Sequence, residues 1–206
     1  MTWVDVGQVI VVAPTGLEAR AARRALPGAR IVRSGVSLRR LPHAGASLSG
    51  TVVTCGVAGS LVPGVPTGTV LVPRRVHRPD GRSMECDASL VALLAAAARR
   101  LGHEPDLRDM ATTAALTVGA ERAAWARRGC AGADMETGLL GAGRVASIRV
   151  VLDTPERELH PAWGRPLTAL WHPAAWSQLP WLAAEGPRCA RLAAEVLAAA
   201  LSGAGP

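Results

Sequence analysis

The chain has 206 residues, of which 49% are hydrophobic, so it can fill one sizeable core, and we expect a single domain over residues 1–206. Its formal net charge of +7 comes from arginines that are scattered and have no stacking aromatic side chains among them, which argues against a nucleic-acid partner. A solvated basic surface is the simplest interpretation, while an anionic membrane surface or a phosphate-bearing ligand stays open as an alternative.

Cysteine spacing and hydropathy indicate the compartment. The four cysteines are far apart and lack metal-ligand spacing, so we expect free buried thiols and no metal. No apolar run reaches the roughly 20 residues of a membrane span. The amino terminus lacks the charged and apolar regions of a secretory signal. We therefore expect a cytoplasmic protein.

Strands and helices alternate along the first half of the chain. A buried β-branched strand at Val9–Ala13 leads through a Pro-Thr-Gly turn into a helix over about residues 17–26. A second strand, 51–55, runs into a glycine-rich turn over 56–60. A third strand follows at 69–73, and an Ala- and Leu-rich helix covers about 88–101.

The second half continues the alternation. We predict a strand within 111–118, a helix over 120–128, a small-residue helix ending near Gly143, and a strand over 146–152. A Trp- and Pro-rich stretch then precedes a last helix over about 187–201. Strands that alternate with helices predict an α/β sandwich.

The strongest functional pattern is Asp134-Met135-Glu136, followed by a strand that ends on Asp153. This order resembles the sugar and base site of the nucleoside phosphorylase and nucleosidase superfamily. The resemblance implies a three-layer α/β/α sandwich with a central mixed sheet, and it assigns Asp134, Met135 and Glu136 to substrate binding. Taken singly, each acidic residue would be an ordinary surface or capping residue.

Cleavage of a ribosidic C–N bond explains why such residues are needed. Positive charge develops on the sugar and negative charge on the departing base. A carboxylate that binds two ribose hydroxyls suits Glu136, with Met135 packed under the sugar. A partly desolvated acid at a strand end can carry a proton to the base, and Asp153 is that candidate.

The glycine-rich segment 55–61 is the second pattern. Its continuation into Gly68-Thr69-Val70 resembles the superfamily loop that approaches the ribose and the nucleophile, which implies binding roles for Gly56, Ala58 and Gly59. Glycine lets a backbone come close to a ligand. A simple strand-to-helix turn would need the same residues, so both interpretations stay open.

Glu18, just after the first strand, is the third candidate. In hydrolytic members of the superfamily a Glu in this place positions the attacking water, which makes Glu18 the second catalytic candidate beside Asp153. The alternative is an ordinary Glu in the first turn of a helix, where the helix dipole favours it. Arg20, Arg23 or Arg24 could instead hold inorganic phosphate as a co-substrate, so the nucleophile stays open.

The Asp-x-Pro-x-x-x-Leu sequence over 153–159, with the short chain and the Cys-Gly-Val-Ala-Gly-Ser-Leu segment, resembles the hopanoid-associated phosphorylases. That resemblance implies release of adenine from adenosylhopane, no cofactor, a homodimer and possible peripheral membrane contact. The alternatives are a methylthioadenosine/adenosylhomocysteine nucleosidase, a futalosine hydrolase, or a nucleotide-binding module without catalysis. A Rossmann dehydrogenase and a serine hydrolase are disfavoured because their glycine motifs are missing.

The chain departs from the superfamily in having no Phe or Tyr to stack on the base. The base would lie on aliphatic residues around 114–118, or on Trp125 or Trp163. The tail tryptophans have two interpretations. They fill the core and a dimer contact, or they face a membrane or lipid, since Trp favours apolar–polar boundaries. The tail tryptophans are Trp163, Trp171, Trp176 and Trp181.

Overall fold

A computed structural model describes residues 8–41, 48–141, 143–164 and 171–202. Within them, nine strands form one sheet. They are β1 (Val9–Ala13), β2 (Arg30–Arg33), β3 (Thr51–Ser60), β4 (Val70–Leu71), β5 (Arg75–His77), β6 (Ser83–Glu85), β7 (Asp109–Thr112), β8 (Cys130–Asp134) and β9 (Arg144–Asp153).

The described residues also form α-helices. They are α1 (Gly16–Ala25), α2 (Ala88–Arg100), α3 (Gly119–Arg127), α4 (Pro173–Trp176) and α5 (Leu179–Ser202). The main core lies between α1, α2, α5 and the strands β1, β3 and β9. Buried apolar positions in all of these elements meet there, and each fully buried Val, Leu, Ile or Met side chain stabilises the fold by roughly 1.5–3 kcal/mol.

The sheet is mixed. Its main path runs β2-β1-β3-β8-β7-β5-β6, while β9 pairs with β3 and β4. The pairs β1/β2, β1/β3, β3/β9, β5/β7 and β7/β8 are parallel, and β3/β8, β4/β9 and β5/β6 are antiparallel. The predicted α/β fold with a central mixed sheet flanked by helices is confirmed.

The long parallel pairing of β3 with β9 positions the site. Its register runs from Thr51 beside Arg144 to Gly59 beside Asp153, with an irregularity between Ala58 and Gly59. The carboxyl ends of both strands therefore lie at one edge of the sheet. Ala133, next to the end of β8, pairs with Gly59 and brings the Asp-Met-Glu segment to the same edge.

Two segments adopt a different type of structure from the predicted one. Residues 56–60 continue β3 instead of forming a turn, because β9 and β8 offer hydrogen-bond partners on both sides. No helix follows Asp-Met-Glu; a single 3-10 turn at Thr137–Leu139 stands there. The Asp134 carboxylate accepts from the backbone N–H groups of Glu136 and Thr137, which replaces the first bonds of a helix.

The last helix begins at Leu179, eight residues before the predicted start, and runs through Pro187. Proline is favoured in the first turn of a helix, which explains the wrong boundary. Tertiary packing supports the extra turns: Trp181 is buried in the main core, and the Arg157 guanidinium lies 4.4 Å from its ring centre.

All four cysteines are free and buried, as predicted. Burial raises the pKa of the Cys55 thiol to about 12, so it stays protonated and unreactive at neutral pH. Among the described residues, no helix is both long and apolar enough to cross a bilayer.

Candidate active site

A cavity opens at the edge of the sheet where β3, β8 and β9 end and α1 begins. Seven of the eight residues predicted for the site line it: Glu18, Ala58, Gly59, Asp134, Met135, Glu136 and Asp153. The eighth, Gly56, lies behind the wall. Residues that are more than a hundred positions apart in sequence therefore meet in one pocket.

Asp153 ends β9 and is buried at the cavity wall. The Arg122 guanidinium, from α3, donates from Nη2 to Asp153 Oδ2. Burial raises the pKa of the Asp153 carboxyl above its ordinary value, and the Arg122 charge and hydrogen bond oppose that rise. Because burial outweighs the effect of Arg122, the Asp153 carboxyl can hold a proton at a higher pH than an exposed Asp can.

Glu136, the last residue of the Asp-Met-Glu segment, is buried and lines the same cavity. Its Oε1 accepts from the Ser37 N–H at 2.9 Å, and its Oε2 lies 3.5 Å from Arg149 Nη2. Burial raises the pKa of the Glu136 carboxyl, Arg149 lowers it, and the neighbouring Asp134 raises it further. Ser37 has a left-handed backbone, with φ of 54°, a conformation that non-glycine residues adopt rarely.

The Asp134 carboxylate accepts its hydrogen bonds from within the protein. Its oxygens accept from Thr112 Oγ1 at 2.7 Å, from Arg149 Nη2 at 2.6 Å and from Thr137, in addition to the backbone N–H groups of the turn. This leaves little acceptor capacity for a ligand. The geometry favours a role in which Asp134 holds the turn and Arg149 in place.

Glu18 fits both of its sequence interpretations. It forms a capping box with Thr15, whose N–H and Oγ1 donate to Glu18 Oε2 at 2.8 and 2.6 Å. Its Oε1 accepts from the Val57 N–H at 2.9 Å and faces the cavity wall. A helix cap therefore holds a buried carboxylate rigidly beside β3.

Two glycines of β3 make room for the carboxylates. A Cβ on Gly56 would lie 2.1 Å from Glu18 Oε1 and 3.0 Å from Arg149 Nη1. A Cβ on Gly59 would lie 2.9 Å from Asp153 Oδ1. These distances are too short for ordinary contacts, so the glycines are required because the acidic groups approach the strand closely.

The rest of the cavity wall is largely apolar. Trp163 is the aromatic residue on it, so the cavity has a single candidate ring for stacking among the described residues. Trp125 lies elsewhere, 6.4 Å from the His77 ring centre. The other wall residues include Leu61, Ala115, Leu116, Thr117, Leu152 and Leu159.

Sequence reasoning missed two site residues. Arg149 is completely buried in β9, where a charged residue in an apolar strand is a usable sign of an internal ion pair. Its Nε and Nη1 have no hydrogen-bond partner among the described residues. The sequence does not show that Arg122 is buried, because α3 also carries exposed charged residues and nothing in its sequence sets Arg122 apart from them.

The cations proposed for phosphate lie away from this site. Arg20, Arg23 and Arg24 are exposed on α1 and do not line the cavity. α1 turns only Glu18 toward the cavity while these arginines face solvent, which counts against their holding a phosphate in it. Among the described residues, no group of three or more His, Cys, Asp or Glu is arranged to hold a metal ion.

No family model and no curated protein matches the chain. Solved structures do. A Helicobacter pylori 5'-methylthioadenosine/S-adenosyl homocysteine nucleosidase in complex with a pyrrolidine inhibitor superposes with a TM-score of 0.71 at 15% identity, covering 97% of this chain and 100% of that chain. This chain has a nucleosidase fold.

Two further nucleosidases agree. The futalosine hydrolase of Helicobacter pylori strain 26695 gives a TM-score of 0.68 at 15% identity, over 96% of this chain and 98% of that chain. The 5'-methylthioadenosine/S-adenosylhomocysteine nucleosidase of Neisseria meningitidis, in complex with methylthio-immucillin-A, gives a TM-score of 0.68 at 15% identity. The match covers 96% of this chain and 99% of that chain. At these identities the likeness establishes the fold.

Proposed function

We propose that this protein hydrolyses the N-glycosidic bond of a purine ribonucleoside. One observation carries the proposal: in a fold shared with nucleosidases, four buried carboxylates line a single cavity, of which Asp134 holds the turn and Glu18, Glu136 and Asp153 are assigned to the reaction. Burying a carboxylate is costly unless it is paired or used. A binding module without catalysis would have no need of an acid beside the base.

The sugar side of the proposed reaction uses Glu136 and Met135. The Glu136 carboxylate accepts hydrogen bonds from the ribose hydroxyls, while the buried Met135 packs under the ring. Arg149 and Ser37 hold the carboxylate in position. Negative charge at this point also stabilises the positive charge that develops on the sugar as the bond breaks.

The base side uses Asp153. Its proton passes to a ring nitrogen of the base, the C–N electron pair leaves with the base, and the resulting carboxylate stays beside Arg122. A purine would lie against Trp163 and the aliphatic wall, which includes Leu116 and Leu159. This wall supports the expectation that aliphatic residues replace the missing Phe and Tyr.

Glu18 is the candidate that orients the attacking water. Its carboxylate lines the cavity and is fixed by hydrogen bonds from Thr15 and Val57. A carboxylate held in one orientation at the cavity wall can accept a hydrogen bond from one water molecule and orient it. The α1 arginines do not line the cavity, which favours water over phosphate as the nucleophile.

Incubation with 5'-substituted adenosines, with and without inorganic phosphate, tests the proposal. We expect free adenine and free sugar in equal amounts, at a rate that phosphate does not change. Formation of a sugar 1-phosphate would show phosphorolysis and contradict the role of Glu18. Absence of base release from adenosine, inosine and their 5'-substituted forms would contradict the proposed reaction itself.

For the substrate, we propose a nucleoside with a large apolar 5' substituent, such as adenosylhopane. A second cavity adjoins the first and shares Ala115, Leu116, Met135 and Gly164 with it. Met135 lies on the sugar side, so this second cavity is the natural place for a 5' group. Its remaining wall is partly apolar and partly polar, with Ala114, Pro161, Ala162, Arg39, His160 and His172.

Adenosines with progressively longer 5'-alkyl chains are expected to show rising kcat/KM, by up to about fourfold per added methylene, since each buried methylene contributes about 0.8 kcal/mol. Methylthioadenosine, which has a small 5' group, would then be a poor substrate. A flat series with methylthioadenosine cleaved best would favour a methylthioadenosine/adenosylhomocysteine nucleosidase. Preference for a hypoxanthine nucleoside would favour futalosine hydrolysis.

The tail supports a proposal about partners. Trp171 is 84% exposed, and Trp176 and Leu179 are about half exposed in the same segment. A surface of this kind suits a homodimer contact or peripheral membrane contact, either of which would cover apolar side chains. Trp163 and Trp181 do not contribute to it, since Trp163 lines the cavity and Trp181 packs in the core.

A further inference from the structure

Arg122 is buried although it lies on a surface helix. Among the residues of α3, all of which the structure describes, it alone is buried, with 3% of its surface exposed. Taking an arginine out of water costs several kcal/mol unless it is paired. Its position therefore requires specific partners, and Asp153 at the cavity wall is one of them.

The protein backbone fixes the guanidinium plane independently of Asp153. Nη1 donates to the carbonyl oxygen of Ser60 at the end of β3. Nη2 and Nε donate to the carbonyl oxygen of Thr117 at 3.0 and 3.3 Å. Because these two carbonyls lie at the end of β3 and on the cavity wall, they fix the guanidinium so that its Nη2 meets Asp153 in one orientation.

We propose that Arg122 is a positioning residue that orients Asp153 and stabilises the carboxylate left after proton transfer; this rests on the proposed function. In that step the O–H bond of Asp153 breaks, its proton goes to the base, and its electron pair stays on the carboxylate. The guanidinium stabilises this product state. Arg122 thus makes Asp153 a stronger acid than an unpaired buried carboxyl would be.

The other charged groups near Arg122 moderate this effect. Glu158, about one third exposed, lies 3.3 Å from Arg122 Nε and also accepts from the Gly119 N–H. Glu156 is exposed, accepts from the Gly64 N–H at 2.9 Å and also feels the Arg122 charge. On the β3 side, Gly59 and Ser60 face Asp153 without charge.

One guanidinium is therefore shared between carboxylates, so two substitutions should act in opposite directions. Arg122→Met removes the charge that favours ionised Asp153. Glu158→Gln removes a competitor for that charge while keeping an acceptor for Gly119. Because Asp153 must be protonated to act, activity is lost as pH rises through its pKa, and this alkaline limb of kcat/KM reports the free enzyme.

The experiment measures kcat/KM against pH for Arg122→Met, Arg122→Lys and Glu158→Gln. We expect the alkaline limb to move up by about 1–3 pH units in Arg122→Met, the usual effect of a neighbouring arginine on an Asp. It should move down in Glu158→Gln and stay nearest to wild type in Arg122→Lys. Glu121→Gln, an exposed change of equal charge on the same helix, is the matched control and should leave it unchanged.

A second readout needs no turnover. The carboxyl band of Asp153 can be isolated as the infrared difference between each protein and its Asp153→Asn form. The midpoint of its titration should move up in Arg122→Met and down in Glu158→Gln, as the alkaline limb does. Identical midpoints, or shifts in one direction for Arg122→Met and Glu158→Gln, would overturn the proposal. If Arg122→Met does not fold, the midpoints of Arg122→Lys and Glu158→Gln, compared with wild type, test the proposal. If no nucleoside is cleaved, the proposed function fails while the infrared titration still tests Arg122.

Discussion

Asp153→Asn is expected to lower kcat for base release by about 100- to 10,000-fold, the range that general acid catalysis contributes. The amide has the shape of the carboxyl group but cannot deliver a proton to the departing base. The substrate should still bind, since Glu136, Met135 and the apolar wall are unchanged. Single-turnover release of adenine, measured beside the KM, separates these effects.

The fold should survive this substitution. Arg122 loses its buried anionic partner, but it keeps the carbonyl oxygens of Ser60 and Thr117 and the Glu158 carboxylate. We therefore expect a lower Tm with an unchanged circular dichroism spectrum. Asp109→Asn is the control, because it makes the same chemical change to a carboxylate that hydrogen-bonds His77 outside the cavity. Near-full turnover in Asp153→Asn would remove Asp153 from the mechanism.

Sequence patterns predicted elements whose burial is uniform. Val9–Ala13 was placed correctly because all five residues are buried and mostly β-branched. The helix at Ala88–Arg100 was placed within one residue, since Asp87 caps its start and Gly102, with φ of 83°, follows its end. In both cases the local chemistry and the tertiary environment favour the same structure.

Long-range pairing accounts for what could not be predicted. Residues 56–60 look like a turn locally, and only β9 and β8, far along the chain, extend β3 through them. The short strands β2, β5, β6 and β8 were likewise missed. β8 consists of Cys-Ala-Gly-Ala-Asp, small residues of weak strand preference that are entirely buried by their neighbours.

The candidate site was easier to anticipate than its support. The resemblance to the nucleoside phosphorylase and nucleosidase superfamily pointed to Glu136 and Asp153, and bond cleavage explains why a ribose-holding carboxylate and an acid are needed. Arg149, a charged residue in an apolar strand, indicated an internal ion pair but not its partner, and nothing local indicated that Arg122 would hold Asp153. Such positioning residues depend on where distant elements meet, and motif spacing does not encode that.

Glu136→Gln is expected to reduce kcat/KM for ribonucleosides by about 10- to 100-fold, the effect of losing one charge-assisted hydrogen bond of roughly 1.5–3 kcal/mol. Gln keeps an oxygen for the Ser37 N–H, but its amide nitrogen replaces the oxygen that faces Arg149 and the ribose. A 2'-deoxyribonucleoside lacks one of the hydroxyls bound there, so its loss should be smaller.

The pH dependence of activity is a second, independent test of the role of Glu136. Burial raises the pKa of Glu136, and the ionised form is the one that binds the ribose, so wild-type activity should fall as pH drops through that raised pKa. Glu136→Gln should lack this acidic limb, whereas Glu104→Gln, an exposed control paired with Arg99, should keep it. Equal losses on ribo- and deoxyribonucleosides, with the acidic limb retained, would show that Glu136 does not hold the ribose.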